Sequence, residues 1–263
     1  MYRDLRPALR RFTRRLDELE LSFTWAVVGG MVDDPSARDV SHLRGGFARD
    51  MQVFLGEAEE FTVDGRDLLD MVTGLKTKQS FATHTYSHLL FSDPEQVSKV
   101  IAEDLTRAVA VNTRLGLGAS QLVFPRNHSG HLDIVAAAGI THARMPPIGS
   151  ANPKLRPNRL FRAFESLMRP TSAVEEHSGP EGLVLHHATE FLNWGVSAGK
   201  AKRLIQWRRV GRAVDAAAHG MDVHFWLHPF NLAQRSGVDD AVDGFLLRVA
   251  ELRNRGLINV GGF

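Results

Sequence analysis

The chain has 263 residues and a mass of 29.2 kDa, with 43% hydrophobic and 24% charged residues, 32 Lys and Arg against 30 Asp and Glu, and no cysteine. That length suits one large α/β domain with a substantial core, and the missing cysteines exclude disulfides, zinc ribbons and thiol nucleophiles together. A formal charge of +2, with arginines dispersed outside "RRFTRR" and "WRR", argues against a nucleic-acid partner despite a pI near 9.1.

Residues 4 to 20 place Leu5, Leu9, Phe12, Leu16 and Leu19 at helical spacing among arginines and acids, which predicts an amphipathic helix. The stretch "SFTWAVVGG" follows, a short β-branched and aromatic run stopped by Gly29 and Gly30, and it reads as a buried strand. "QSFATH", "QLVFP", "GLVLHH", "MDVHFWLH" and "LINVGG" read as further strands. Helical patterns separate them at 94 to 115, 129 to 138, 200 to 219 and 238 to 254. The first of these has Asp93 as its expected N-cap, Pro94 at its first position and Gly116 beyond its end. Strands alternating with helices predict parallel pairing, in a doubly wound sheet or a β/α barrel. No repeat or linker divides the chain, so one domain over residues 1–263 is expected, with an irregular excursion at about 145–182. No run approaches the roughly 18 apolar residues of a membrane span, and the first twenty residues lack a signal-peptide core. A cytoplasmic protein is the expectation.

In either architecture functional residues gather at the carboxyl ends of the strands. Those ends carry Asp33 and Asp34, His84 and His88, Arg126 with Asn127 and His128, His186 with His187, and His228. Histidines four apart face one way on a helical turn, so His84 and His88 are either half of a metal site or a core histidine with an exposed neighbour. Arg126 offers a fork for a carboxylate or a surface ion pair, and His228 either a tuned acid or a packed strand-end ring. His186 and His187 point to opposite faces of a strand, so at most one can look into a site, and His187 is favoured. His42, His131, His142, His177 and His219 read as solvated. No G-x-S-x-G elbow, Walker loop or dinucleotide glycine fingerprint occurs.

The order "FTWAVVGG", "THTYSH", "LVFPRN", "WLHP" resembles the polysaccharide deacetylases of the NodB-homology type, carbohydrate esterase family 4, in particular members associated with surface-polysaccharide biosynthesis. "THTYSH" fits the family's H-[ST]-x-x-H metal motif, "LHP" its late histidine motif, and "FPRN" its arginine motif more loosely. The resemblance implies a distorted (β/α) barrel and metal-dependent removal of an N-acyl group from a glycan or sugar precursor. It implies zinc or another divalent ion on His84 and His88, His228 as acid toward the leaving amine, and Arg126 supporting the base.

The family's T-F-D-D motif, source of the base and of the third ligand, has no counterpart, and the first strand that would carry it is missing from the pattern. Asp33 and Asp34 in "MVDDP" follow the next strand. The alternatives are therefore a catalytically silent carbohydrate-binding or scaffold protein and a relative acting on small linear or cyclic amides. A carbohydrate is the expected partner, and an exposed sheet edge would favour a homo-oligomer.

Overall fold

A computed structural model describes residues 2–56, 64–146, 173–192, 200–233 and 238–262. Six strands form one sheet: β1 (Thr24–Val27), β2 (Ser80–Thr83), β3 (Gln121–Val123), β4 (His142–Met145), β5 (Glu176–Ser178) and β6 (Val184–His187), in the order β1-β2-β3-β4-β6-β5. All neighbours run parallel except β5, which returns antiparallel along β6. Two short parallel strands, β7 (Glu190–Phe191) and β8 (Phe225–Trp226), pair separately. The fold is therefore α/β with a mostly parallel central sheet. Among the described residues the strand pairings do not close into a barrel.

The helices are α1 (Tyr2–Glu18), α2 (Gly29–Val32), α3 (Gly45–Gly56), α4 (Arg66–Thr73), α5 (Ser98–Arg114), α6 (Leu132–Ala137), α7 (Lys200–Ala218), α8 (Pro229–Leu232) and α9 (Val238–Asn254). Ala8, Leu9, Phe12 and Leu16 of α1 are buried at helical spacing, in one apolar cluster with Val210 and Val214 of α7 and with Phe245, Leu246 and Val249 of α9. The other cluster joins Leu122, Ala143 and Leu185 of the sheet to Ile101, Leu105 and Ala108 of α5 and Val135 of α6. No helix among the described residues is long and apolar enough to cross a membrane.

Several boundaries differ from the sequence reading. Helix α5 begins at Ser98, after the extended Val97, so Asp93 and Pro94 belong to the preceding turns. Gly116 does end the region, at φ +68°, where the Leu117 N–H reaches back to the Asn112 carbonyl. "LINVGG" forms no strand; Ile258 and Val260 pack into the α1 cluster, and Gly262 lies so close to Thr24 and Ser80 that a side chain would collide. Strand β4 lacks an apolar run because His142 and Arg144 alternate with Ala143 and Met145. Most of the 145–182 excursion lies outside the described residues.

Candidate functional site

The segment "THTYSH" leaves β2 in an unusual backbone path. Thr85 and His88 both take positive φ, 64° and 60°, a conformation that β-branched and bulky residues hold only under constraint. The constraint comes from two sides. Asp104 of α5, fully buried, accepts the Tyr86 N–H at 2.9 Å and the Ser87 hydroxyl, and pairs with His42 Nε2 at 3.0 Å. From the other side the Gly29 and Gly30 N–H groups donate to the Thr85 and Tyr86 carbonyls at 2.9 and 2.8 Å. A Cβ on Gly30 would stand 3.0 Å from the Tyr86 carbonyl oxygen, so the close approach requires glycine.

This loop sets the His84 and His88 rings 4.9 Å apart, edge to face. The His84 Nδ1–H donates to the Val123 carbonyl at 2.6 Å, which fixes the tautomer and leaves Nε2 as an acceptor. Burial, then the neighbouring His88, pushes His84 down to about 3; burial, then the Arg126 charge, pushes His88 down to about 4. Both rings are neutral near pH 7. His228, at the end of β8, is also lowered, by burial first and by Arg144 second. A neutral His228 is a poor proton donor and a good hydrogen-bond partner.

His228 belongs to an aromatic wall. Its ring lies flat on Phe230 at 4.8 Å and edge-on to Trp226 at 5.4 Å, and Trp226 stacks on Phe191 at 4.0 Å. The Arg144 guanidinium sits over Trp226, 4.3 Å from the ring centroid, and bridges the main sheet to the small one. Arg144 and His224 escaped the sequence reading, and no aromatic platform was visible in it. Arg144 lies inside an otherwise unremarkable strand, and Phe191 and Trp226 meet only through the β7–β8 pairing. A hollow of about 320 Å³ lined by Arg6, Pro7, Arg10, Arg11 and Arg14 of α1 shares no residue with the imidazoles.

The remaining expected residues fall as follows. Arg126 is exposed at φ 51° in a short turn, within electrostatic reach of His88, and Asn127 follows at φ 60°. His187 donates Nδ1–H to the Pro146 carbonyl at 2.8 Å and shares a sheet face with its register partner Met145, away from Arg144. His186 shares the Arg144 face and contacts His142 Nδ1 at 2.9 Å and Glu176 at 3.0 Å, so the half-buried His142 is tied into the sheet. His42, also expected to be solvated, is buried. Asp33 accepts the Tyr86 hydroxyl at 3.0 Å and pairs with Arg114; Asp34 caps the next turn by accepting the Ser36 N–H at 2.8 Å. Neither aspartate joins the imidazoles.

No family model and no curated protein matches the chain. Among solved structures it is similar to a GH57-type branching enzyme from the hyperthermophilic archaeon Pyrococcus horikoshii, with a TM-score of 0.51 at 9% identity. The match covers 97% of this chain and 63% of that enzyme, so the chain spans less than two thirds of its neighbour. At that identity the likeness concerns the fold. The expected designation, a zinc-binding polysaccharide deacetylase of NodB homology, is corrected on two counts. The structural neighbour is a glycoside-hydrolase-type branching enzyme, and among the described residues no group of three or more His, Asp or Glu could hold a metal ion. His84 and His88 have the chemistry of two ligands, but without a third donor they make no catalytic metal site, and no step is derived through one.

Proposed function

We propose that this chain binds a glycan or sugar precursor on a hydrolase-type scaffold and, by itself, does not turn it over. In this reading the sheet is a distorted (β/α) barrel left open, and the ligand lies at the carboxyl ends of β2, β3 and β8. The open face of Phe230, which is 40% exposed, would receive the apolar face of a sugar ring, while the neutral His84, His88 and His228 exchange hydrogen bonds with its hydroxyl or acylamino groups.

The observation that carries the silent reading is the occupation of the carboxylates. Among the described residues none hydrogen-bonds to His84, His88 or His228, and Asp33 and Asp34 are engaged by Arg114 and Ser36. Hydrolysis of an amide or a glycosidic bond requires a group to accept the water proton, and these imidazoles are held from protonation by burial first and by the Arg126 and Arg144 charges after it.

Calorimetric titration with neutral, N-acetylated and acidic mono- and oligosaccharides tests the reading, beside assays for released amine and for new reducing ends. Saturable binding without release is the expected result. Release of amine or of reducing ends that His84→Ala abolishes would overturn the silent reading, and absence of binding would overturn the glycan.

A further inference from the structure

Among the described residues, Arg144 is a buried cation without a counter-ion. Its side chain emerges from β4 on the sheet face opposite the Leu122, Ala143 and Leu185 core, and the residue is only 6% exposed. Its Nε and Nη2 have no hydrogen-bond partner among the described residues. Its charge reaches His84, His224 and His228, imidazoles whose protonation burial already disfavours and which the charge disfavours further. Among the described residues, acids of the neighbouring strands are committed elsewhere: Glu190 to Arg209 at 2.7 Å and Glu176 to His186 at 3.0 Å. Its guanidinium lies over the Trp226 face, and Trp226 Nε1 is itself a buried donor without a partner among the described residues.

Burying an ionised side chain without a hydrogen-bonded opposite charge costs several kcal/mol, far more than a single cation–π contact returns. Burial lowers Arg144 only to about 10, so the guanidinium keeps its proton at neutral pH. A fold that retains such a charge beside an aromatic wall and three neutral imidazoles has a use for it other than stability.

We propose that Arg144 receives the anionic group of an acidic sugar, a carboxylate or phosphate, with Trp226 Nε1–H as a further donor. This rests on the glycan reading above and narrows it. A guanidinium fork matches a carboxylate or phosphate with two parallel N–H bonds, and partial burial strengthens both. The neutral imidazoles then supply hydrogen bonds to the rest of the ligand without adding charge.

The test is calorimetric titration of the whole chain at low ionic strength with glucuronate, glucose 6-phosphate, glucose and inorganic phosphate, repeated on Arg144→Met and Arg144→Lys and accompanied by thermal unfolding without ligand. Expected are binding of at least one acidic sugar at least tenfold tighter than glucose, its loss in Arg144→Met, and a weakening of at least threefold in Arg144→Lys, which keeps the charge and loses the fork. Arg144→Met unfolds at a higher temperature than the parent, since the buried charge is gone. Preference for glucuronate assigns a carboxylate, and preference for glucose 6-phosphate a phosphate. Equal binding of glucose and the acidic sugars, unchanged in Arg144→Met, would overturn the anion site and leave the glycan reading standing. Binding of inorganic phosphate that Arg144→Met removes, with no sugar bound, would retain the anion site and overturn the glycan reading. No binding by any probe would overturn both, and a lowered unfolding temperature in Arg144→Met would assign Arg144 a structural role and overturn the proposal. Should Arg144→Met fail to fold, the Arg144→Lys comparison decides.

Discussion

The Tyr86 N–H donates to the Asp104 carboxylate at 2.9 Å, and through that bond helix α5 holds the loop that carries His84 and His88. The same carboxylate accepts from Ser87 and pairs with His42, with both side chains of the His42–Asp104 pair fully buried. Asp104→Ala leaves these donors without a partner and is expected to cost about 3–5 kcal/mol. Asp104→Asn keeps one acceptor oxygen and should cost less. Urea unfolding of the two variants checks the order; equal midpoints for Asp104→Ala and the parent would show that the clamp is not needed.

Gly30 sets the other side of the loop. Gly30→Ala forces a Cβ to within 3.0 Å of the Tyr86 carbonyl oxygen, and relieving that contact moves the loop or bends β1. The expected loss is about 1–3 kcal/mol, accompanied by shifted His84 and His88 ring resonances in proton–nitrogen correlation spectra. Alanine at the solvent-facing Gly211, where nothing stands within 4 Å, should leave both unchanged.

Acid should destabilise the fold in a defined window. His84 and His224 are each held down to about 3, chiefly by burial, against about 6.5 in the unfolded chain. Folded-state values below unfolded ones mean that stability is fully present above pH 6.5 and is lost as the pH falls toward 3, because the unfolded chain takes up the protons first. Each histidine contributes up to about 1.4 kcal/mol per pH unit, and allowing for partial exposure the pair gives about 2. Unfolding midpoints at pH 7, 6, 5 and 4 measure the slope. A flat profile across that range would contradict the buried neutral rings.

The aromatic wall predicts a graded series. Trp226→Ala removes the stacking face on Phe191 and the support of Arg144 and His228, and should weaken sugar binding at least tenfold, with loss of stability. Trp226→Phe keeps a ring but loses the indole N–H, so neutral sugars should bind almost as before while acidic ones bind less well. Calorimetric titration of both variants separates stacking from hydrogen bonding; equal effects on the two sugar classes would leave the indole N–H without a role in binding.

What could be read from the residues followed local rules. The stripe of Leu9, Phe12 and Leu16 gave α1, and the short β-branched runs gave β1, β2, β3 and β6 with their parallel pairing. The H-x-x-x-H spacing brought His84 and His88 side by side. Strand β4 escaped notice because polar side chains alternate with its core-facing residues, and α5 began later than Pro94 suggested because Val97 is extended.

The rest depended on contacts far apart in the chain, which no local pattern encodes. Asp33 looks available in sequence, yet Arg114, 81 residues away, consumes it. Arg144 looks like a surface cation until the sheet buries it over Trp226. Sequence alone thus determined the strand–helix alternation and the histidine pair, because periodicity and spacing are properties of neighbouring residues. Tertiary structure alone decided which charges are paired and which are left buried among the imidazoles, because desolvation and ion pairing depend on what the fold packs around each group.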